Sequence, residues 1–501
     1  MPFNNSKNLE KMNKRILNIL IPGLLISCCF IHTSCQDDFL EIDSQVNQTP
    51  EDYFSASDNA ASELATSVYS NLQSWDEHVF PWIGVSSITS DDADKGSDPG
   101  DTGTDKHELD NFTFTASSIS FDGIWAANYS GIMSANKALD VIAKMSDENE
   151  SKKRIEGEVK FLRAYFYWNL VRCFGGVPKI DKVPDPLNAD DLTNARTRAT
   201  KEAIYELIIS DLQFGVENLK ERSQMNSADL GRATKGAAKT FLAKVYMYQK
   251  NWKEALRLSN EVILSNEYAL TNDYAMIWRE AGENNQESIF EVQAKGEKPH
   301  KGIGGYSEVQ GVRGQLGWGF NTPSEDLENS YETGDPRKDA TIIYPGETLW
   351  DGVVINSETP NPRYNEKAYF SKTEETYDGN AWESNKNIRI FRYAEVLLIH
   401  AEAANELGQS GTALTSLNEV RTRVGLVNAS ADNLKEKIWH ERRVELAMEH
   451  DRFFDLVRQG RAGQVLRAHG KNFIDGKHEV FPIPQRQIEL SEGKLIQNSG
   501  Y

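Results

Sequence analysis

Two helical hairpins of the same design stand about 130 residues apart in this chain, and that recurrence constrains the fold more than any other feature. The first runs through Leu242, Val245 and Tyr246, turns near Lys250-Asn251, and resumes with Ala255-Leu256 and Val262-Ile263. The second runs through Leu397-Leu398, Ala401 and Ala404 to Gly408, and resumes with Ala413-Leu414, Leu417 and Val420. Small residues at helix crossings and Ala-Leu on the second helix mark a tetratricopeptide-type pair. Two further helices precede them. Val159, Leu162, Phe166, Leu170 and Cys173 recur at three- and four-residue steps until Gly175-Gly176 and Pro178 stop the run, and Ile204, Leu207, Ile208 and Leu212 repeat the period. The expectation is a mainly α protein. Its helical scaffold covers about 45–271 and 388–501, interrupted by an irregular insertion over about 272–387.

The insertion has a different chemistry. Eight glycines fall between Gly296 and Gly319, and Pro336, Pro345, Pro360 and Pro362 follow, so long helices are excluded and short strands such as Ser288–Val292 are expected. A second irregular stretch carries Asp91, Asp92, Asp94, Asp98 and Asp101. Those hard oxygen ligands suit calcium, but their spacing matches no EF-hand, and a solvated acidic loop is the plainer reading. No cofactor and no metal site is expected.

The chain is 39% hydrophobic and 26% charged over 501 residues, which excludes a disordered chain. A net charge of −20 argues against nucleic acid as a partner. At the N-terminus, Lys11, Lys14 and Arg15 precede an apolar run from Ile16 to Ile31, broken by Pro22-Gly23; it is too short to span a bilayer and reads as a secretory signal over residues 1–34. Thr33-Ser34-Cys35-Gln36-Asp37-Asp38 then resembles a bacterial lipoprotein cleavage site, with Cys35 as the lipid attachment point. Cleavage before Cys28, or ordinary secretion with a cut near Ser34, are the alternatives. The mature chain from 35 to 501 is read as one domain beside a membrane, held there by the lipid anchor alone. Cys173 sits in an apolar helical run and is assigned no chemistry.

Motifs for catalysis fail one by one. His440-Glu441-Arg442-Arg443-Val444 begins like a zinc-protease helix but has Val444 where the second His must stand. No Gly-x-Ser-x-Gly elbow and no phosphate-binding loop occurs. Glu441, Arg442, Arg443, Glu445, Glu449, Arg452, Asp455 and Arg458 are spaced to pair along one helix and with its neighbours.

An ordered set of motifs remains. Gly157-Glu158-Val159-Lys160-Phe161-Leu162-Arg163-Ala164-Tyr165 leads to Phe174-Gly175-Gly176-Val177-Pro178. Gly231-Arg232-Ala233-Thr234-Lys235-Gly236 and Arg392-Tyr393-Ala394-Glu395 follow, then Glu441-Arg442-Arg443, Phe454-Asp455-Leu456-Val457-Arg458 and the terminal Gln497-Asn498-Ser499-Gly500-Tyr501. Together they resemble the SusD/RagB family of outer-membrane nutrient-binding lipoproteins of Bacteroidetes, over essentially the whole mature chain. The resemblance implies a non-enzymatic protein on the outer face of the outer membrane. It would capture an extracellular oligo- or polysaccharide and deliver it to a TonB-dependent β-barrel transporter. A tetratricopeptide-type adaptor for protein or peptide, and a helical glycoside hydrolase, stand as alternatives. Sugars need aromatic platforms flanked by polar groups. Trp125, Trp168, Trp252 and Trp439 lie in helical patterns and read as core, which leaves Trp75, Trp82, Trp278, Trp318, Trp350 and Trp382. The regions where family members place glycan contacts select Trp82, Tyr306 and Trp318, with Arg363, Asp91 and Asp92 as polar candidates.

Overall fold

A computed structural model describes residues 53–501 apart from 55–57, 102–103, 147–150, 297–301 and 381. Cys35 and the signal segment lie outside the described residues. Nine helices carry the scaffold among these residues: α1 (Asp58–Tyr69), α2 (Ile119–Lys144), α3 (Lys152–Phe174), α4 (Lys201–Asn218), α5 (Lys235–Tyr248), α6 (Trp252–Ser265), α7 (Tyr393–Glu406), α8 (Ser410–Arg423) and α9 (Leu434–Glu445). Their starts are chemical. Thr200 caps α4 by accepting from the Ala203 N–H, Thr234 caps α5 by accepting from Ala237, and Asn251 caps α6 by accepting from Glu254.

Packing follows chain order. α3 lies against α2 and α4, α5 against α4 and α6, and α7 against α8. α6 also packs directly on α7, so the second hairpin docks on the first although the insertion separates them in sequence. At the α2–α3 crossing a Cβ on Gly131 would come within 2.5 Å of the Phe166 ring, so only glycine lets the helices approach this closely. α3 is buried on nearly every side. Its Arg163 is neutralised by a two-pronged pair with Asp211 of α4, both contacts at 2.8 Å. Cys173, also on α3, is enclosed, and burial pushes its thiol up to about 12, which makes it inert.

In the insertion no described helix exceeds the six residues of Gly305–Gln310 and Glu325–Ser330. The strands of the insertion and those beside it pair antiparallel. β1 (Ala93–Gly96) lies beside β3 (Phe320–Pro323), β2 (Ser288–Val292) beside β6 (Ile388–Arg392), and β4 (Ile342–Ile343) beside β5 (Tyr364–Asn365). The β2–β6 pair ties the two ends of the insertion together. Ile289 and Phe290 of β2 join the main scaffold core, while Val312, Ile343, Leu349, Ile355, Tyr364 and Tyr369 form a small core of the insertion's own.

A buried ion lattice locks insertion to scaffold. Arg337 of the insertion donates to Asp335, to Glu441 at 2.6 Å and to Glu445 at 3.0 Å, and Glu445 also accepts from Arg392 and Arg423. Burial works to raise the Glu445 carboxyl, but Arg423, Arg392 and Arg337 overcome it and hold the group well below the usual carboxylate range. The charges at helical spacing therefore find remote partners for the most part. Arg458 with Asp455 is the pair that follows the helix, and Arg458 also grips Glu402.

Candidate functional site

Trp75 opens a four-residue helix, Trp75–His78, whose N-cap Ser74 accepts from the Asp76 N–H. Two other segments bring tryptophans to it. Trp318 ends the glycine-rich run, and its N–H donates to the Glu308 carbonyl at 2.8 Å. Trp382 follows a turn in which its N–H donates to Asn380 Oδ1, and its carbonyl accepts from Gly304. The three rings meet with centroids 6.1 Å apart for Trp75–Trp318, 5.6 Å for Trp75–Trp382 and 5.5 Å for Trp318–Trp382. Phe80 supports the group, edge-on to Trp75 and Trp318, and carries the Lys106 ammonium 4.1 Å from its centroid. Trp382 is 44% exposed, and Trp75 and Trp318 are half-buried, so the cluster opens to solvent. Gly305 makes room for it, since a Cβ there would stand 2.8 Å from the Trp75 ring and 3.2 Å from Trp382.

Polar groups border this face. Arg313 donates to the Trp318 carbonyl at 3.2 Å and lies 3.6 Å from Asp101, which accepts from the Ser97 hydroxyl. Glu383, beside Trp382, accepts from the Gly302 N–H at 2.6 Å. Partial burial raises the Glu308 carboxyl, countered by Lys372. Apolar rings flanked by a guanidinium and carboxylates are what a sugar's ring faces and hydroxyl edges require.

The residues selected from sequence divide sharply. Trp318 is in the cluster. Tyr306 is half-buried and its hydroxyl faces His450 Nε2 at 2.9 Å, so it serves the interior contact between the glycine-rich run and the scaffold. Trp82 corrects the expectation of an exposed platform: it is 4% exposed, stacked on Phe454, with the Arg172 guanidinium 5.5 Å from its ring. The cause is the apolar run Val79–Val85 (Val79-Phe80-Pro81-Trp82-Ile83-Gly84-Val85), which passes through the interior.

Asp91 and Asp92 are corrected in the same way. Both are buried; Arg452 grips Asp91 with two contacts of 2.8 Å, and Arg443 donates to Asp92 at 2.7 Å. Burial alone would raise Asp91, yet Arg452 and Arg443 hold it below the usual carboxylate range, whereas for Asp92 burial outweighs the same arginines and raises it. Rather than a solvated loop, this segment continues into β1. Among the described residues no three His, Cys, Asp or Glu side chains are arranged to hold a metal ion. Arg363 spends its guanidinium on Glu328, at 2.9 Å, and on the Pro323 carbonyl.

Of the helical tryptophans, Trp125 and Trp168 are buried and Trp252 and Trp439 half-buried. Trp278 is buried, and exposed Trp350 has its face covered by Arg279, 4.2 Å from the centroid. Sequence selection missed Trp75 and Trp382. Each follows a turn-forming residue, Ser74 or Asn380, and that was the available signal.

Two family models match, described as the SusD family over residues 260–501 and as starch-binding, associating with outer membrane, over residues 38–247. A SusD-like protein, P2, of Formosa agariphila is 27% identical over 446 residues, 81% of this chain and 86% of that protein. A solved laminarin-binding SusD-like protein superposes with a TM-score of 0.75 at 28% identity, covering 88% of this chain and 99% of its own. Surface glycan-binding protein A of Bacteroides fluxus does so with a TM-score of 0.75 at 26% identity, covering 89% and 100%. Matched by these models across both scaffold and insertion, the chain belongs to the SusD/RagB family.

Proposed function

We propose that this chain is a cell-surface glycan-binding protein, not an enzyme, which captures an oligo- or polysaccharide on the Trp75–Trp318–Trp382 face. The observation that carries the reading is the convergence of three tryptophans from three separate segments on one solvent-open, polar-rimmed surface. Relatives whose names record laminarin binding and surface glycan binding support the ligand class. The test is a panel of neutral and acidic polysaccharides in affinity gels, paired with a reducing-sugar assay. Retardation by at least one glycan without release of reducing ends is expected. Retardation equally strong in a Trp318→Ala, Trp382→Ala double variant overturns the placement.

The same reading includes a lipid on Cys35 and delivery to a TonB-dependent barrel. Among the described residues no helix is long and apolar enough to cross a membrane, which fits attachment through an anchor. Cys35→Ala is expected to release the protein from the membrane fraction. Affinity purification from mildly solubilised outer membranes is expected to recover a barrel transporter with it.

A further inference from the structure

Two described tryptophans are exposed, Trp382 at 44% and Trp350 at 43%, and Trp350 lies outside the cluster. It stands at the tip of a hairpin. The Ile355 N–H donates to the Glu347 carbonyl at 2.9 Å, Leu349 to Val353 at 2.8 Å, and Gly352 closes the turn on Leu349 at 2.9 Å. Gly352, with φ +83°, takes the left-handed position that a three-residue hairpin loop requires. Leu349 and Ile355 sink into the insertion's small core, and Trp350 stays outside it.

A single exposed ring is ordinary on a protein surface, but this one is held in place. The Arg279 guanidinium lies 4.2 Å from its centroid on one face, and Arg279 is itself fixed by donating to buried Glu366 at 2.7 Å. Tyr369 meets the indole edge-on with centroids 6.2 Å apart. Among the described residues no other ring or cation packs on the indole, and its N–H donates to no protein group. With Arg279 behind it, the ring turns its other face to solvent.

An acceptor lies next to it. Asp351 follows Trp350 in the turn and accepts from the Tyr369 hydroxyl, from the Ser371 hydroxyl at 2.6 Å and from the Val353 N–H at 3.1 Å. Partial burial raises its carboxyl, but these bonds outweigh burial and hold it below its ordinary value. An ionised carboxylate accepts about four hydrogen bonds, so one position on Asp351 stays open.

An apolar face with a donor and an acceptor at its edge matches a sugar ring, which has a C–H face and a rim of hydroxyls. A protein-binding hot spot is instead ringed by contacts that exclude water. Around Trp350 the hairpin offers exposed Thr348 and Gly352 and half-buried Asp351, with Val354 as its other exposed apolar side chain.

The hairpin is also tied to the segment that carries Trp318. Gln315 donates to the Val354 carbonyl at 2.8 Å and accepts from the Asn356 N–H at 2.9 Å. Val312 and Leu316 pack in the same small core as Leu349 and Ile355, so Trp318 and Trp350 ride on one body.

We propose that Trp350 is a second carbohydrate platform, stacking on one sugar of a polysaccharide that also occupies the Trp75–Trp318–Trp382 face. The inference rests on that face binding glycan. A chain held at both places is held more tightly than at either alone, because the second contact is made within the complex.

The test measures retardation of the folded mature chain against concentration of a polysaccharide that retards the parent. Trp350→Ala is expected to weaken the dissociation constant about tenfold. Trp350→Leu, apolar but without a ring, is expected to match it, and Trp350→Tyr to recover most of the loss; thermal melts check that each variant is folded. Retardation of the Ala and Leu variants equal to the parent's overturns the second platform and leaves the first standing. Equal retardation with loss of the co-purified barrel assigns the ring to a protein partner and overturns the proposal as well. A parent retarded by no glycan overturns both readings.

Discussion

Trp75 and Trp82 sit on adjacent short helices of one segment, yet they end in opposite environments. Trp82 is enclosed by scaffold, with Phe454 stacked on it and Arg172 over its ring. Trp75 meets Trp318 and Trp382, which arrive on loops and leave the cluster open on one side. The residue type is the same, so what packs back against it decides its role. Helices and an apolar run close around a ring completely, whereas a glycine-rich loop covers part of it and leaves the rest open to solvent.

The largest effect that would break this contrast comes from Trp82→Ala. It is expected to cost about 3–5 kcal/mol in urea denaturation while leaving glycan affinity of the folded fraction unchanged. A loss of affinity at intact stability would put Trp82 in the binding surface after all.

Glu77, between the two tryptophans, sharpens the interior side. It is fully buried and accepts from Asn169, and burial raises its carboxyl to about 8. The folded chain holds a proton that the unfolded chain, titrating near 4.5, has released. This stability is therefore full below about pH 4.5 and lost as the pH rises through about 8, at up to about 1.4 kcal/mol per pH unit. Glu77→Gln should flatten that slope in denaturation curves taken from pH 5 to 8.

On the open side the expected change is in binding. Trp382→Ala should weaken the glycan by about 1–3 kcal/mol, roughly tenfold to a hundredfold by calorimetry, with stability moved by no more than about 0.5 kcal/mol. Gly305→Ala, whose new Cβ would press on Trp75 and Trp382, is a milder version, with an affinity loss of a few fold. Smallest of all is Arg363→Ala. Its guanidinium already serves Glu328 and Pro323, so binding should match the parent, and stability should fall by about 1 kcal/mol or less.

What could be read from sequence was whatever depends on neighbours a few residues away. The hairpins of α5–α6 and α7–α8, the strand Ser288–Val292 and the absence of long helices among the described residues between them all follow from local period and glycine content. Asp91 and Asp92 could not be read, because Arg452 and Arg443, which bury and neutralise them, lie hundreds of residues further along the chain. The charges of α9 pointed to pairs along the helix and with its neighbours; Arg421 comes from the neighbouring α8, while Arg337 reaches in from the insertion. The tryptophan cluster was half legible. Trp318 was picked out by the family resemblance, which points to the glycine-rich stretch, but convergence with Trp75 and Trp382 is tertiary and leaves no periodic trace. Trp82 was misread against its own signal, the apolar run around it.

The β2–β6 pair and the docking of α6 on α7 bring the two ends of the insertion side by side. For the scaffold, then, everything between them is a closed loop, and the entropy of closing a loop grows only with the logarithm of its length. Doubling it costs about 0.6 kcal/mol. A chain built this way can lengthen, shorten or redraw the segments that carry Trp318 and Trp382 at small thermodynamic cost to the helices. The insertion is modular in the engineer's sense, a cartridge seated in a fixed frame.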